Sequence, residues 1–232
     1  MKAAIIGKKV GMTQIFDETG RVIPVTIIEA GPCVVTQKKT ESKEGYSALQ
    51  FGYEEVSEST LTKPEKGHLG KSGNQKLKYL HEFKLDNAAE FNVGDVIRAD
   101  IFKEGDNVDI TGISKGKGYQ GVIKRHNAGR TPTSHGGGPV HRHAGSMGAA
   151  AYPSRIMKGK IGAGQMGNEQ VTVQNLDIVK IDSELNMLVV KGAVPGPRGG
   201  LVYVTSSLKK KRRVGPATPT ISTNPQKRSA RG

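Results

Sequence analysis

The sequence has little of what a dense core or a disulfide framework requires. Its 232 residues include no tryptophan, aromatic residues make up 5%, and glycine occupies 31 positions, so much of the chain cannot lie in a compact core. The one cysteine, Cys33, excludes an internal disulfide and stands in the apolar stretch GPCVVTQ. We expect a buried, unreactive thiol in a reducing compartment.

Long apolar runs are also missing. No stretch approaches the roughly 18 apolar residues that would span a bilayer. The first residues, MKAAIIGKKVGMTQIF, lack the apolar segment and small-residue cleavage site of a secretory signal. We therefore expect a cytoplasmic protein.

Acidic residues are absent from two long segments. The 59 residues from Ile110 to Asn168 carry nine Lys/Arg and four of the six histidines, and the 48 from Leu185 to Gly232 carry ten Lys/Arg. The rest of the chain has 16 basic and 21 acidic residues, whereas the whole chain has a formal charge of +14. Such segregation is typical of a protein that binds a polyanion, because solubility alone would intersperse the signs. A soluble protein that is merely basic is the alternative.

Short strand-like segments rich in Ile, Val and Thr dominate the remainder. They fill residues 1–55 and return in VIRADIF, VDITGIS, QVTVQNLDIVKID, NMLVVKGAVP and LVYVTSS. Many short strands without long helices between them predict an antiparallel barrel or sandwich. Residues 56–94 mix charge with weak helix and strand signals, which predicts a small subdomain.

The segment between the flanking strands has a different composition. From Ala128 to about Arg155 no periodic apolar pattern occurs, and Gly, Pro, His, Arg and Ser predominate. Fixing such a backbone costs about 1–2 kcal/mol per residue, and almost no apolar area offsets it. The segment is therefore either disordered or ordered by a partner.

Two glycine motifs, GKGYQG at 116–121 and GAGQMG at 162–167, fit the G-x-G-x-x-G pattern of dinucleotide sites. The first lacks an acid about 20 residues further on, and the second precedes a strand pattern instead of a helix. A glycine-rich chain produces this pattern easily, so we expect no nucleotide site and no cofactor. Glycine here allows the backbone to approach a bulky partner closely.

The stretch SHGGGPVHRHAGSMG, residues 134–148, contains three histidines but no Cys, Asp or Glu. Arg142 puts a positive charge between His141 and His143, which disfavours zinc. Catalysis by Ser134 or Ser146 would need an orienting carboxylate that the stretch lacks. We predict neither a metal site nor a catalytic residue.

Nucleic acid suits the residue types better. Basic residues recur every few positions along 115–160, as expected of a backbone that passes between phosphates. Tyr119 and Tyr152 are the only aromatic residues there, so base stacking cannot dominate, and the pattern predicts shape and phosphate recognition of folded RNA. For any single lysine, a solvated surface charge is the alternative.

Five segments carry a family resemblance. From the N-terminus to the C-terminus they are GKKVGMTQIFDETGRVIPVTIIEAGPCVVTQKKT, DITGISKGKGYQGVIKRHN, SHGGGPVHRHAGSMG, MKGKIGAGQMGNEQVTVQNLDIVKID and LVVKGAVPGPRGG. Over about residues 1–207 the chain resembles the bacterial large-subunit ribosomal protein family called L three. The resemblance implies a mainly β fold: a translation-factor-like six-stranded antiparallel barrel, a small mixed α/β subdomain and a long irregular extension.

The implied domains are the barrel (1–55, 95–114 and 168–207), the subdomain (56–94), the basic glycine-rich extension (115–167) and a basic, proline-containing tail (208–232). The implied role is non-enzymatic. The protein would bind large-subunit rRNA near its 3′ end early in assembly, beside the ribosomal proteins L fourteen and L nineteen, with the extension reaching toward the peptidyl transferase centre.

The candidate rRNA-binding residues are mostly basic and come largely from the extension and the tail: Lys8, Lys9, Lys115, Lys117, Lys124, Arg125, His126, Arg130, His135, His141, Arg142, His143, Arg155, Lys158, Lys160, Gln165, Lys209, Lys210, Lys211, Arg212 and Arg213. Many bacterial relatives carry a methylated glutamine after the Gly-Ser-X-Gly motif, whereas Ala149 stands here. We therefore expect no modification at this position. The rival functions are a nucleotide-hydrolysing barrel enzyme and a DNA-compacting basic protein.

Overall fold

The computed structural model describes residues 3–73 and 76–209. Within them, the strands are β1 Ala4–Phe16, β2 Val22–Ala30, β3 Cys33–Lys39, β4 Ala48–Glu55, β5 Leu77–Phe83, β6 Val96–Ile97, β7 Asn107–Ile113, β8 Gly118–Gln120, β9 Gly164–Met166, β10 Gln170–Asp182, β11 Met187–Lys191 and β12 Leu201–Ser206. The α-helices are α1 Glu41–Glu44, α2 Lys63–Leu69 and α3 Val122–His126. Single 3-10 turns lie at Glu58–Thr60, Gly70–Ser72, Ala88–Glu90 and Ala99–Ile101.

Six strands close a barrel in the order β1-β12-β7-β10-β11-β2, and every neighbouring pair is antiparallel. Closure pairs both edges of the sheet, so the barrel presents no open strand edge of its own. This arrangement confirms the predicted fold class.

Period-two alternation builds the barrel core. In β12, Val202 and Val204 are fully buried, whereas Tyr203 between them is only half-buried. Alternate side chains of a strand point to opposite faces of the sheet, and the other barrel strands contribute Ile5, Ile28, Ile110, Leu188 and Val190 to the same core. Burying each such side chain stabilises the fold by about 1.5–3 kcal/mol.

A second sheet in the order β5-β4-β3-β6 packs beside the barrel. Its buried Phe51 and Phe83 belong to the same hydrophobic cluster as the barrel residues, and their rings lie 5.2 Å apart. Helix α2 begins with a capping box formed by Thr62 and Glu65, and it buries Leu69 against the other face of this sheet. The two sheets therefore share one core.

The sequence-based boundary at residue 55 does not follow the sheets. Strands β3, β4 and β6 were expected in the barrel, within residues 1–55 and 95–114, but they form the second sheet together with β5. Gly31, with φ +84°, lies between β2 and β3, and this left-handed conformation turns the chain out of the barrel. The division into domains otherwise stays a prediction.

Candidate nucleic-acid interface

The acid-free segment begins and ends in a two-stranded ribbon. Strand β8 pairs with β9 in antiparallel register, with Gly118 opposite Met166 and Gln120 opposite Gly164. Each strand lies inside one of the two G-x-G-x-x-G motifs, so the motifs pair with each other. Helix α3, which follows the first motif, has five residues, and a strand follows the second. This geometry differs from the strand–turn–long helix unit that holds a dinucleotide.

Close backbone approach explains one of these glycines. Gly167 has φ +73°, and a Cβ at this position would collide with the Lys115 carbonyl oxygen. The amide of Lys117 donates to the Met166 carbonyl at 2.9 Å, which joins the two chains at the same point. Residue 167 must therefore be glycine if the ribbon is to close.

A basic cleft of about 440 Å³ opens at the base of the ribbon. Lys115, Lys117, Arg125 and His126 line it together with Gln165, and one carboxylate, that of Glu169, lies at its wall. Arg125 is oriented by a hydrogen bond from its Nη1 to the Gly162 carbonyl at 3.1 Å, and its guanidinium covers Gly164. Five predicted contact residues, four from residues 115–126 and one at 165, thus lie around one opening.

The loop from 127 to 162 is exposed along almost its whole length. A few local hydrogen bonds shape it, such as Thr131 Oγ1 to the Val140 carbonyl at 2.7 Å and Lys160 Nζ to the Ser146 carbonyl at 2.8 Å. Its predicted contact residues with exposed side chains are Arg130, His135, Arg142, His143, Arg155, Lys158 and Lys160. Lys124 on α3 is also exposed. The loop presents cations and backbone to its surroundings and adds little to the core.

His141 differs from the other histidines of the extension, which are exposed, because it is half-buried. Its Nδ1 is shielded and has no hydrogen-bond partner among the residues that the structure describes. Within those residues, no three His, Cys, Asp or Glu side chains come together to hold a metal ion.

Two predicted contact residues on β1 already have partners inside the protein. Lys8 Nζ lies 2.8 Å from Glu54 Oε2, and this ion pair lowers the pKa of Glu54. Lys9 is 8% exposed, and its Nζ donates to the carbonyls of Val194 and Gly196. Burial and, secondarily, the charge of Lys115 lower the pKa of Lys9. Its ammonium is therefore turned into the protein and away from a surface ligand.

Only the first of the predicted contact residues in the tail lies within the described part of the chain. Lys209 is exposed, whereas Lys210, Lys211, Arg212 and Arg213 lie outside the described residues, so their role stays a prediction. Sequence analysis missed Arg198, which is exposed in the turn between β11 and β12. The signal was present, because Arg198 lies in the second acid-free segment.

Cys33 is fully buried, as expected. Burial raises the pKa of its thiol to about 12, and the Sγ donates weakly to the Ile6 carbonyl at 3.4 Å. Such a thiol is not a nucleophile at neutral pH. Over the described ranges, no helix is both long and apolar enough to cross a membrane.

These features define a class of protein: a closed β-barrel with an accessory sheet and a long, exposed, basic arm. Comparison with known proteins is consistent with that class. The sequence profile of the family described as "Ribosomal protein L3" matches residues 80–187. The chain is 56% identical over 208 residues to the large ribosomal subunit protein uL3 of Finegoldia magna, which covers 90% of this chain and 99% of the relative.

The chain belongs to the ribosomal protein L3 family. It is therefore a structural constituent of the large ribosomal subunit, located with the ribosome in the cytoplasm, and not an enzyme. This confirms the family resemblance seen in the sequence. It also rejects the hypothesis of a nucleotide-hydrolysing enzyme that used the glycine motifs.

Proposed function

We propose that the protein binds large-subunit rRNA through the extension 115–167 and the basic cleft at its base. The observation that carries this proposal is the exposed, acid-free loop, whose backbone and cations have few partners within the described chain. Phosphates would neutralise these cations, and RNA packing would offset the entropy of ordering the loop. The sparse aromatic residues favour recognition of phosphates and shape over base stacking.

The salt dependence of binding to protein-free large-subunit rRNA tests this proposal. If about six to ten phosphates are engaged, the logarithm of the affinity falls with the logarithm of salt at a slope of about −4 to −9. Arg142→Ala should make that slope shallower by about one, because an exposed cation of the loop is lost. Arg98→Ala, an exposed arginine next to β6 in the second sheet, is the matched control and should leave the slope unchanged.

Competition in the same binding assay distinguishes the remaining alternatives. A fragment from the 3′ part of the rRNA should compete as well as the whole molecule if the protein nucleates assembly there. Duplex DNA of equal length should compete poorly. Equal competition by duplex DNA would favour the DNA-compacting hypothesis and contradict the proposal.

We also propose that the extension reaches toward the peptidyl transferase centre, as family membership suggests. Residue 149 lies within the exposed loop, and the one native thiol is buried, so a probe on Ala149→Cys would be the reactive site. An iron chelate attached there should cleave rRNA of the catalytic centre in assembled subunits. The same chelate on Ser59→Cys, exposed beside the second sheet, should not, and equal cleavage patterns would contradict the proposal.

The named protein neighbours, L fourteen and L nineteen, are part of the proposal. Support comes from the β1–β2 hairpin, where Met12, Phe16 and Val22 are exposed on one face beside the acidic turn residues Asp17 and Glu18. Apolar side chains and carboxylates suit a protein contact better than a phosphate backbone. Crosslinking of assembled subunits from this hairpin should recover one of these two proteins, and recovery of rRNA alone would contradict it.

A further inference from the structure

One lysine, Lys9, makes four hydrogen bonds to the turn between β11 and β12, residues 193–200, whose Val194 is buried in the core. The backbone of Lys9 accepts from the Gly199 amide at 2.7 Å and donates to the Gly200 carbonyl at 2.9 Å. Its side-chain Nζ donates to the carbonyls of Val194 at 2.7 Å and Gly196 at 3.1 Å. Lys9 therefore fixes both the beginning and the end of this turn, which we call the 193–200 turn.

A buried ammonium is a costly way to hold a turn. Removing a charge from water carries a penalty that carbonyl hydrogen bonds offset only in part. A neutral side chain with a donor would satisfy the same two carbonyls at a lower cost in desolvation. The stability of the turn alone therefore does not explain why a lysine stands at position 9.

The 193–200 turn packs against the point where the extension leaves the barrel. Gly196 has φ +93°, and a Cβ there would lie 2.9 Å from the Ile113 carbonyl oxygen. The Cγ of Pro195 lies 3.2 Å from where a Cβ of Gly112 would be. Because Ile113 is the last residue of β7, the turn lies directly beside Lys115 and the basic cleft.

One exposed cation is carried by this turn. Arg198 lies across the β1 bulge, with its Nε 3.6 Å from where a Cβ of Gly11 would be. It forms no ion pair with any residue in the ranges 3–73 and 76–209. Its guanidinium is therefore presented to the surface near the base of the extension.

We infer that Arg198 is a further phosphate-binding residue of the rRNA interface, and that Lys9 is the positioning residue that fixes the turn carrying it. The inference rests on the proposed rRNA-binding function. A guanidinium matches a phosphate with two parallel hydrogen bonds, so its value depends on orientation as well as charge. The interface then extends from the cleft onto the barrel wall.

The test compares four full-length single variants and one double variant for binding to protein-free large-subunit rRNA across a salt series. Arg198→Gln removes the contact. Lys9→Met removes the anchor, and Gly196→Ala displaces the turn while every charge is kept. Arg98→Gln removes an exposed arginine from the second sheet and is the control. Thermal unfolding of each variant establishes that it is folded.

Arg198→Gln should make the salt slope shallower by about one and weaken binding about five- to eightfold at about 0.1 M salt. Lys9→Met and Gly196→Ala should lose the same single contact. The double variant Lys9→Met/Arg198→Gln should bind no more weakly than either single variant, because the two changes remove the same contact. Arg98→Gln should bind like the parent protein.

Other outcomes overturn the inference in distinct ways. An unchanged slope for Arg198→Gln would show that Arg198 makes no phosphate contact. Additive losses in the double variant would show that Lys9 contacts RNA itself and does not act through the turn. If the parent protein binds rRNA without salt dependence, the proposed function is contradicted. The inference about Arg198, which rests on that function, is then contradicted with it.

Discussion

At the scale of single residues, His81 links the two sheets through its ring. It stacks on Tyr203 of the barrel with centroids 3.9 Å apart and meets the edge of Phe83 at 4.8 Å. Burial lowers the pKa of His81 below its usual value, and the nearby Glu82 opposes that shift only in part. The neutral ring is therefore the form that the folded protein prefers.

This preference predicts how stability depends on pH. A histidine in the unfolded chain has a pKa of about 6.5, and the pKa of His81 in the folded protein is lower. Above a pH of about 6.5 the ring is neutral in both states, so the stabilisation contributed by His81 is fully present there. It should be lost as the pH falls from there through the folded pKa. His81→Phe keeps an aromatic ring and should remove this part of the dependence in urea unfolding from pH 8 to 5. A pH dependence identical to that of the parent would contradict the assignment.

Residue-scale charge patterns drew attention to the segment that forms most of the cleft, because no acid occurs from Ile110 to Asn168. They could not distinguish Lys9, whose ammonium is used inside the protein, from Lys115, which is exposed. That difference depends on the carbonyls of Val194 and Gly196, which approach Lys9 only in the fold.

At the scale of elements, the β8–β9 ribbon sets the root of the extension. Gly167→Ala would force a side chain into a left-handed conformation and against the Lys115 carbonyl, at a cost of about 1–3 kcal/mol. The ribbon amides should then exchange with deuterium about 5- to 150-fold faster. Gly162→Ala, in the same motif but with open space around it, is the control and should exchange at the parental rate.

Strand existence was easier to predict from sequence than strand partners. Alternating apolar residues identified the segments that became β1 to β4, but this pattern is the same in a barrel and in a neighbouring sheet. The chain leaves the barrel at the left-handed Gly31, where a Cβ would lie 3.1 Å from the Ile97 carbonyl oxygen, and this close approach arises only in the fold. The pairing of the two glycine motifs was equally hard to predict, because the 43 residues 121–163 separate the strands β8 and β9 that pair.

At the scale of the whole molecule, the extension can be removed without disturbing the body, because the ribbon brings its two ends together. Arg125 Nη1 lies 3.1 Å from the Gly162 carbonyl, so the chain leaves and returns at one place. A variant lacking Asn127 to Arg155 keeps residues 156–161 to bridge that gap and leaves the barrel core untouched. Its melting temperature should therefore match that of the full-length protein.

The most direct measurement is gradient sedimentation of the tagged full-length protein and of this deletion variant from cell lysate, with and without ribonuclease. The account predicts that the full-length protein travels with the large subunit, that ribonuclease releases it, and that the variant, although folded, enters the subunit poorly. Full incorporation of the variant, or a full-length protein that stays bound after the RNA is digested, would contradict the claim that the basic extension holds the protein to rRNA.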